Sequence, residues 1–479
     1  MRLVDLALQV LICFLISTLF WFIVEFRRRN DRKRGPGPTL LPGLGRVHDL
    51  PLQHTWFKLK EWGDRYAARG YYRVDLLDTR FFVITDEKIA YELGILYHES
   101  KRWIARLMRN PDAFQWSLED MASKVMCALT WDDPNQSETL IRSAWALLRQ
   151  MSPAGPITNV IPQLWKLPYI INPWKQAERK RHDEQIAWWL ERLKDSKEKW
   201  KKGELRQCWT CDYFEMTAAA KLDRKMTLSC DYEAACVLGM LALVGIFTVA
   251  GPLNYWLVAM VNFPEWQRAV QREVDTVCQG SLPTLEDIPR LPILRACIKE
   301  TMRWRPNVPT GVAHEAEVDQ EWDGCVITKG TRILPLDYAF LRNPIKFPDP
   351  ESFRPERWLE PGWPTYREPL TQFPTIRGMT TFGWGQRQCL GMSLTQDEMV
   401  VACGALAWAF HLECKAHPLT GEVFPVPDNK CNSLLIVKPD PFQMAFTPRS
   451  QARRLEALRI WESANRRDLK ERKVRLEDT

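Results

Sequence analysis

A single thiol stands in an unusual setting. The stretch FGWGQRQCLG, Phe382 to Gly391, surrounds Cys389 with three glycines and one arginine. A buried structural cysteine has no need of so much permissive backbone. A loop that must turn tightly and come close to a flat ligand does. The residues that follow, LGMSLTQDEMVVACGALAWAF, have a helical period. Cys389 therefore sits just before a helix N-terminus, where backbone N–H groups and the helix dipole favour the thiolate. Such a loop supports a thiolate–iron bond. Arg387, two residues earlier, is placed to pair with an acidic group on the rim of a cofactor.

Other polar residues gain meaning only from context. Glu300 and Arg303 are three apart in the helical pattern LPILRACIKETMRWRP, so they share one face. Alone, they read as a surface pair contributing less than about 1 kcal/mol. His314, in VPTGVAHEAEVD, reads alone as a packed or exposed residue. Thr248 lies in VGIFTVAG, a helix apolar nearly all round, where its hydroxyl can bond its own i−4 carbonyl. Cys208 and Cys211 form a lone CxxC with no second pair and no nearby histidine, so two ordinary thiols fit better than zinc, which needs four ligands. There is no HExxH, GxSxG or Walker loop, which weighs against the hydrolases and nucleotide enzymes that use them.

These residues need a large scaffold. The chain has 479 residues, enough for up to about three domains. It is 46% apolar and 26% charged, an ordinary globular balance. The net charge of +7 is a mild excess. It suits an anionic membrane surface or an acidic protein partner, and no basic patch interleaved with aromatics points to nucleic acid. Thirteen scattered cysteines do not make a disulfide scaffold in a chain this long.

The N-terminal pattern predicts a membrane anchor. Leu6 to Val24, LALQVLICFLISTLFWFIV, carries no charge. At about 1.5 Å per residue it matches a hydrocarbon core of about 30 Å. RRRNDRKR follows at Arg27–Arg34, which places the rest of the chain in the cytosol. A cleaved signal peptide is the alternative, but the run is long for that and the positive charge lies on the wrong side. GPGPTLLPGLG, Gly35 to Gly45, then ends the helix and makes a bent connector. The domain reading is an anchor over 1–26, a basic and Pro/Gly-rich hinge over 27–46, a catalytic body over 47–449 and a charged tail over 450–479, read as solvated surface.

Within the body, YYRVDLLDTRFFVITD (Tyr71–Asp86) predicts a hairpin of two short strands. PEWQRAVQREVDTVC (Pro264–Cys278) predicts an amphipathic helix with proline in its first turn. Leu291–Pro306 predicts a helix ended by Pro306, and Gly324–Leu336 a second hairpin around Lys329-Gly330. The centre, Asp112–Met260, is mostly helical in pattern.

FGWGQRQCLG resembles the haem-binding loop of the cytochrome P-450 family, Phe-x-x-Gly-x-Arg-x-Cys-x-Gly, at every defined position. Glu300 to Arg303 resembles the family's Glu-x-x-Arg, and FRPERW, Phe353–Trp358, its Pro-Glu-Arg segment, in the same order. The resemblance implies a mainly α fold with a smaller β region, preceded by one transmembrane helix. It implies haem b held by Cys389, with Phe382, Gly383, Gly385, Arg387 and Gly391 around it. It implies a triad of Glu300, Arg303 and Arg357 that pins the segment leading to the haem loop, and a propionate contact from His314. Thr248 matches the threonine that such enzymes use to deliver protons to bound oxygen.

This chain departs from the pattern in two places. Phe247 stands where the family has an acid, so water or a substrate hydroxyl is expected to replace the carboxylate. The chain is also shortened near 94–110. Trp103 and Arg106 are one residue too close together to match the family's propionate-gripping Trp-x-x-x-Arg, and that role is not carried over to them. A naturally compact member and a sequence lacking a piece both fit.

The resemblance extends to fungal microsomal members, through PFQMAFTPRS and the hinge. It implies a monooxygenase of the endoplasmic reticulum membrane, single-pass, with its catalytic domain cytosolic. Electrons would come from NADPH through a reductase, and the substrate would be a lipophilic secondary metabolite, a terpenoid first. A reductase-independent haem-thiolate isomerase or dehydratase, and a degenerate non-catalytic member, are the competing readings.

Overall fold

The computed structural model describes residues 58, 61–62, 64–65 and 71–472, without 77–78, 85–86, 153, 224–229 and 418. The expected anchor and hinge lie outside the described residues. The chain divides into two compact units, Met1–Gly94 and Ile95–Thr479.

In the first unit, β1 (Tyr71–Leu76) and β2 (Thr79–Ile84) pair antiparallel, with Tyr71 opposite Ile84, as the hairpin expectation has it. Helix α1 (Glu87–Arg109) begins in this unit and continues into the second.

The second unit is a stack of helices. In chain order come α2 (Phe114–Trp131), α3 (Ser137–Met151), α4 (Pro173–Lys201) and α5 (Trp209–Asp223). Next are α6 (Asp231–Val244), α7 (Phe247–Asn262), α8 (Pro264–Cys278) and α9 (Pro292–Trp304). Helix α7 is the axis of the core and packs against α2, α8, α9 and the later α11 (Met392–Ala409). From Val249 to Met260 every residue of α7 is buried, which is why this stretch is apolar on all faces. Together α6 and α7 are long and apolar enough to cross a membrane, yet most of that length is buried inside the protein, as in a core helix. Helix α8 shows the opposite pattern, with Val270 and Val274 fully buried along one stripe.

The strands are few. β3 (His314–Glu315) pairs with β6 (Arg332–Ile333), and β4 (Gln320–Trp322) with β5 (Cys325–Ile327). The expected hairpin around Lys329-Gly330 is therefore corrected. The tight turn lies at Asp323-Gly324, where φ is 49° and 74°. Two positive φ values match the twist of a two-residue hairpin, and Asp-Gly accommodates them. A short helix, α10 (Asp337–Phe340), follows, and β7 (Phe410–Cys414) pairs with β8 (Met444–Pro448) beyond α11.

The tail is also corrected. Gln451–Arg472 forms helix α12, and its first turns are docked rather than solvated. Ala457 is buried, Arg453 donates to Asp275 at 2.8 Å, and the Arg109 guanidinium lies 3.8 Å from the Trp461 ring centroid. The charge pattern hid a short apolar footing at Ala457 and Leu458.

Candidate active site

The cysteine loop is built by its glycines. Gly383 and Gly385 adopt φ of 74° and 60°, conformations that an L side chain resists. They fold the loop back so that the Cys389 N–H donates to the Phe382 carbonyl at 2.8 Å. Phe382 is buried and anchors the loop, while Cys389 is exposed. Gly391 is the N-cap of α11, so the thiol stands three residues before the first helical turn. A side-chain carbon at Gly391 would lie 3.9 Å from the Cys389 sulfur. The Arg387 guanidinium is exposed and has no ion-pair partner among the described residues.

The structure also brings Glu300, Arg303 and Arg357 together, all fully buried. Arg303 grips Glu300 with two bonds, Nε to Oε2 at 2.8 Å and an Nη to Oε1 at 2.7 Å. Arg357 Nε donates to Glu300 Oε1 at 3.2 Å. The remaining capacity of the carboxylate is taken by the Arg354 N–H at 2.9 Å and the Trp358 indole at 3.0 Å. Both guanidiniums spend their other N–H groups on carbonyls of residues 341–352. Burial pushes the Arg357 pKa down, opposed by Glu300. A desolvated cluster of this kind holds only when every member is paired. It ties α9 to the Pro355–Trp358 turn across more than fifty residues of chain.

Helices α6 and α7 form the other side. They are separated by a two-residue turn at Gly245-Ile246, where a larger side chain would meet the Met126 thioether of α2. Thr248 follows that break. Its hydroxyl donates to the Val244 carbonyl at 2.7 Å. Pro252, one turn later, has no N–H to give the Thr248 carbonyl. Asn307 supplies it instead, Nδ2 to O at 3.2 Å. Val237, Met240 and Val244 recur along one face of α6, each at least 40% exposed in a helix otherwise largely buried. Phe247, at the acid position, is buried against Trp145 of α3, with ring centroids 4.7 Å apart.

A continuous series of contacts joins the two sides. From Asn307 the chain reaches Pro309, whose carbonyl accepts from the Tyr338 N–H of α10 at 2.8 Å. Asp337 accepts from Thr380 and, at 2.7 Å, from Thr381, just before Phe382. Burial pushes the Asp337 pKa up, opposed by those two hydroxyls. Phe340 meets Trp384 of the cysteine loop edge to face at 5.6 Å. His314, on β3, is half-buried beyond this series. Trp103 and Arg106 are engaged elsewhere: Trp103 donates to Ser117 at 3.0 Å, and Arg106 pairs with Asp120. Cys208 and Cys211 are buried at the start of α5.

The cytochrome P-450 family model matches residues 116–446. The chain belongs to the cytochrome P-450 family. Among curated relatives it is similar to the cytochrome P-450 monooxygenase fogE of Aspergillus ruber, 25% identical over 92% of this chain and 91% of that one. The echilunin cytochrome P-450 monooxygenase of the same fungus is 26% identical, over 93% and 90%. That alignment runs to 522 positions, more than the 479 residues of this chain, so the relative holds residues that this chain lacks. Among solved structures, a zebra fish cytochrome P-450 with progesterone superposes with a TM-score of 0.59 at 20% identity, covering 75% of this chain and 78% of that one. The fold is that of the family, mainly helical with few strands. The protein is a haem-thiolate monooxygenase that takes electrons from a redox-partner reductase and oxidises a small molecule.

The residues present fit a haem. An exposed thiol precedes a helix N-terminus, and an arginine without an ion-pair partner among the described residues stands two residues away. Trp384 and Leu390, exposed by 41% and 89%, add apolar surface to the loop, and the apolar face of α6 leads to Thr248. Sequence reasoning missed Asn307, Trp145 and Asp337. Their partners lie tens of residues away or more, and only Pro252, which orphans a carbonyl, gave a local signal that some donor was needed.

Proposed function

We propose that Cys389 is the thiolate that would hold the haem iron of this monooxygenase and that the enzyme oxidises a lipophilic secondary metabolite, with a terpenoid as the first class to screen. The observation that carries this is the Cys389 loop itself, an exposed thiol presented by two positive-φ glycines ahead of α11. When bound, the haem would supply the oxygen-activation chemistry, with Cys389 as its thiolate ligand. The chain's own residues do the rest. Arg387 and His314 would hold the acidic rim of the cofactor. Gly383, Gly385 and Gly391 let backbone approach it, and Phe382 anchors the loop. Glu300, Arg303 and Arg357 fix the segment that leads to that loop. Val237, Met240 and Val244 exclude water and receive apolar substrate.

The Thr248 hydroxyl relays the protons that the reaction consumes. Its hydroxyl is parked on the Val244 carbonyl, and Asn307 fixes the backbone beneath it. With Phe247 beside it, the partner of that hydroxyl is water or a substrate hydroxyl rather than a carboxylate.

The chain is anchored in the endoplasmic reticulum membrane by residues 6–24, with a cytosolic catalytic body after the hinge. A second feature supports lipid contact. Between α3 and α4, Val160, Tyr169, Ile170 and Ile171 are each more than half exposed, an apolar surface without a protein partner among the described residues. The shortening before residue 112 makes this a compact member of the family.

The test is reconstitution in lipid vesicles with an NADPH-dependent reductase and a panel of terpenoids. The expected outcome is product that requires NADPH and reductase. In Thr248→Ala, more of the NADPH is diverted to peroxide. Turnover without NADPH would instead mark an isomerase, and unchanged coupling in Thr248→Ala would remove the proton role.

A further inference from the structure

Trp145 is where four distant pieces of chain meet. Its ring packs on Phe247, the residue before Thr248. Its indole N–H donates to Glu119 Oε2 of α2 at 3.1 Å. Glu119 is 4% exposed, and its other oxygen accepts from Lys438 Nζ. The same ammonium stands 4.4 Å from the Trp145 ring centroid, and the Arg149 guanidinium 5.5 Å from it. The indole is thus held by its edge through a carboxylate and by its face through cations.

The clamp is tied to the Thr248 side through backbone. Val437, next to Lys438, donates to the Asn307 carbonyl at 2.6 Å, and Asn307 in turn holds Thr248. Leu435 donates to Ser152 Oγ at the end of α3 at 2.8 Å. A buried carboxylate with two donors from separate elements is costly to leave half-paired, so its value is to fix orientation.

We propose that Trp145, clamped by Glu119 and Lys438, is a positioning and specificity residue: with Phe247 it forms the aromatic wall of the substrate space beside Thr248 and sets the size of ligand admitted there. This rests on the function proposed above. A carboxylate at position 247 would have brought water into this wall. The aromatic pair places no charge there, and its rigidity comes from an ion pair whose partners are 319 residues apart.

The experiment uses the full chain in detergent and titrates the haem band with imidazole and with 4-phenylimidazole. The ratio of the two affinities reads the space beside the iron and needs neither substrate nor turnover. In Trp145→Ala the ratio shifts toward the bulkier azole by about tenfold, as expected for opening an apolar wall by one ring. Trp145→Phe and Lys438→Met shift it in the same direction by about threefold, and Lys438→Arg restores it. Trp188→Ala, which breaks the Trp131–Trp188 aromatic pair between α2 and α4, lowers thermal stability and leaves the ratio unchanged. If Trp145→Ala fails to fold, Trp145→Phe decides. Ratios within about twofold of wild type in the folded Trp145 variants overturn the proposal. Absence of a haem band in the wild type would instead overturn the haem assignment, and this proposal with it.

Discussion

Glu300 and Thr248 are held by different physics. Glu300 accepts five hydrogen bonds, from Arg303 twice and from Arg354, Arg357 and Trp358, with no exposed surface. Thr248 has a back-bonded hydroxyl and a carbonyl that depends on one side chain, Asn307. The cysteine side is fixed by desolvated charges that must all be present. The threonine side is fixed by apolar and aromatic packing, with single hydrogen bonds where proline breaks the helix. The first arrangement suits a cofactor that must not move, and the second suits a surface adjusted to one substrate.

The sharpest way to break the contrast is Glu300→Ala. It leaves two buried guanidiniums without their anion, and such losses cost about 3–5 kcal/mol. Chemical denaturation should register that drop, and the protein should lose haem on purification. A loss below about 1 kcal/mol would mean that the cluster behaves as a surface pair.

The next effect is a pH dependence centred on Glu398 of α11, nine residues after Cys389. Both of its oxygens are buried without a hydrogen-bond partner among the described residues, and burial pushes its pKa from 4.5 to about 8. A carboxyl raised in this way binds its proton more tightly folded than unfolded. Its contribution is therefore full below pH 4.5 and is lost as pH rises to about 8. Glu398→Gln should remove that part of the decline in thermal stability across this window. An identical pH profile in wild type and variant would show that the carboxyl is already paired.

The smallest effect sharpens the threonine side. Asn307→Ala should cost about 1–2 kcal/mol by orphaning the Thr248 carbonyl. Pro252→Ala returns a backbone N–H to that carbonyl, so in this background Asn307→Ala should cost little. Additive costs in the double-mutant cycle would separate the two residues.

The two sides also differ in how legible they were. Cys389 and its glycines lie in one short stretch, so their spacing marked a candidate site, whereas Glu300–Arg303 read as a surface pair until the order of the motifs gave it context. Arg357 was within reach because the motif order supplied a partner. On the threonine side, Thr248 and the absence of an acid at Phe247 were visible, but the compensation was not. Trp145, Glu119 and Lys438 come from three separate regions, and no local pattern marks any of them. The hairpin error has the same origin. Lys329-Gly330 and Asp323-Gly324 are both plausible turns, and strand pairing, a nonlocal property, chose between them. The tail was misjudged because Arg453 reads as solvated charge until Asp275 is seen beneath it.

The central claim is that Cys389 ligates the haem iron. The most direct measurement is the reduced carbon-monoxide difference spectrum of membranes expressing the chain, beside a Cys389→Ala control. The account predicts a thiolate-type Soret band in the wild type that the control lacks. The same band in Cys389→Ala, or no haem signal despite detectable wild-type protein, would contradict it.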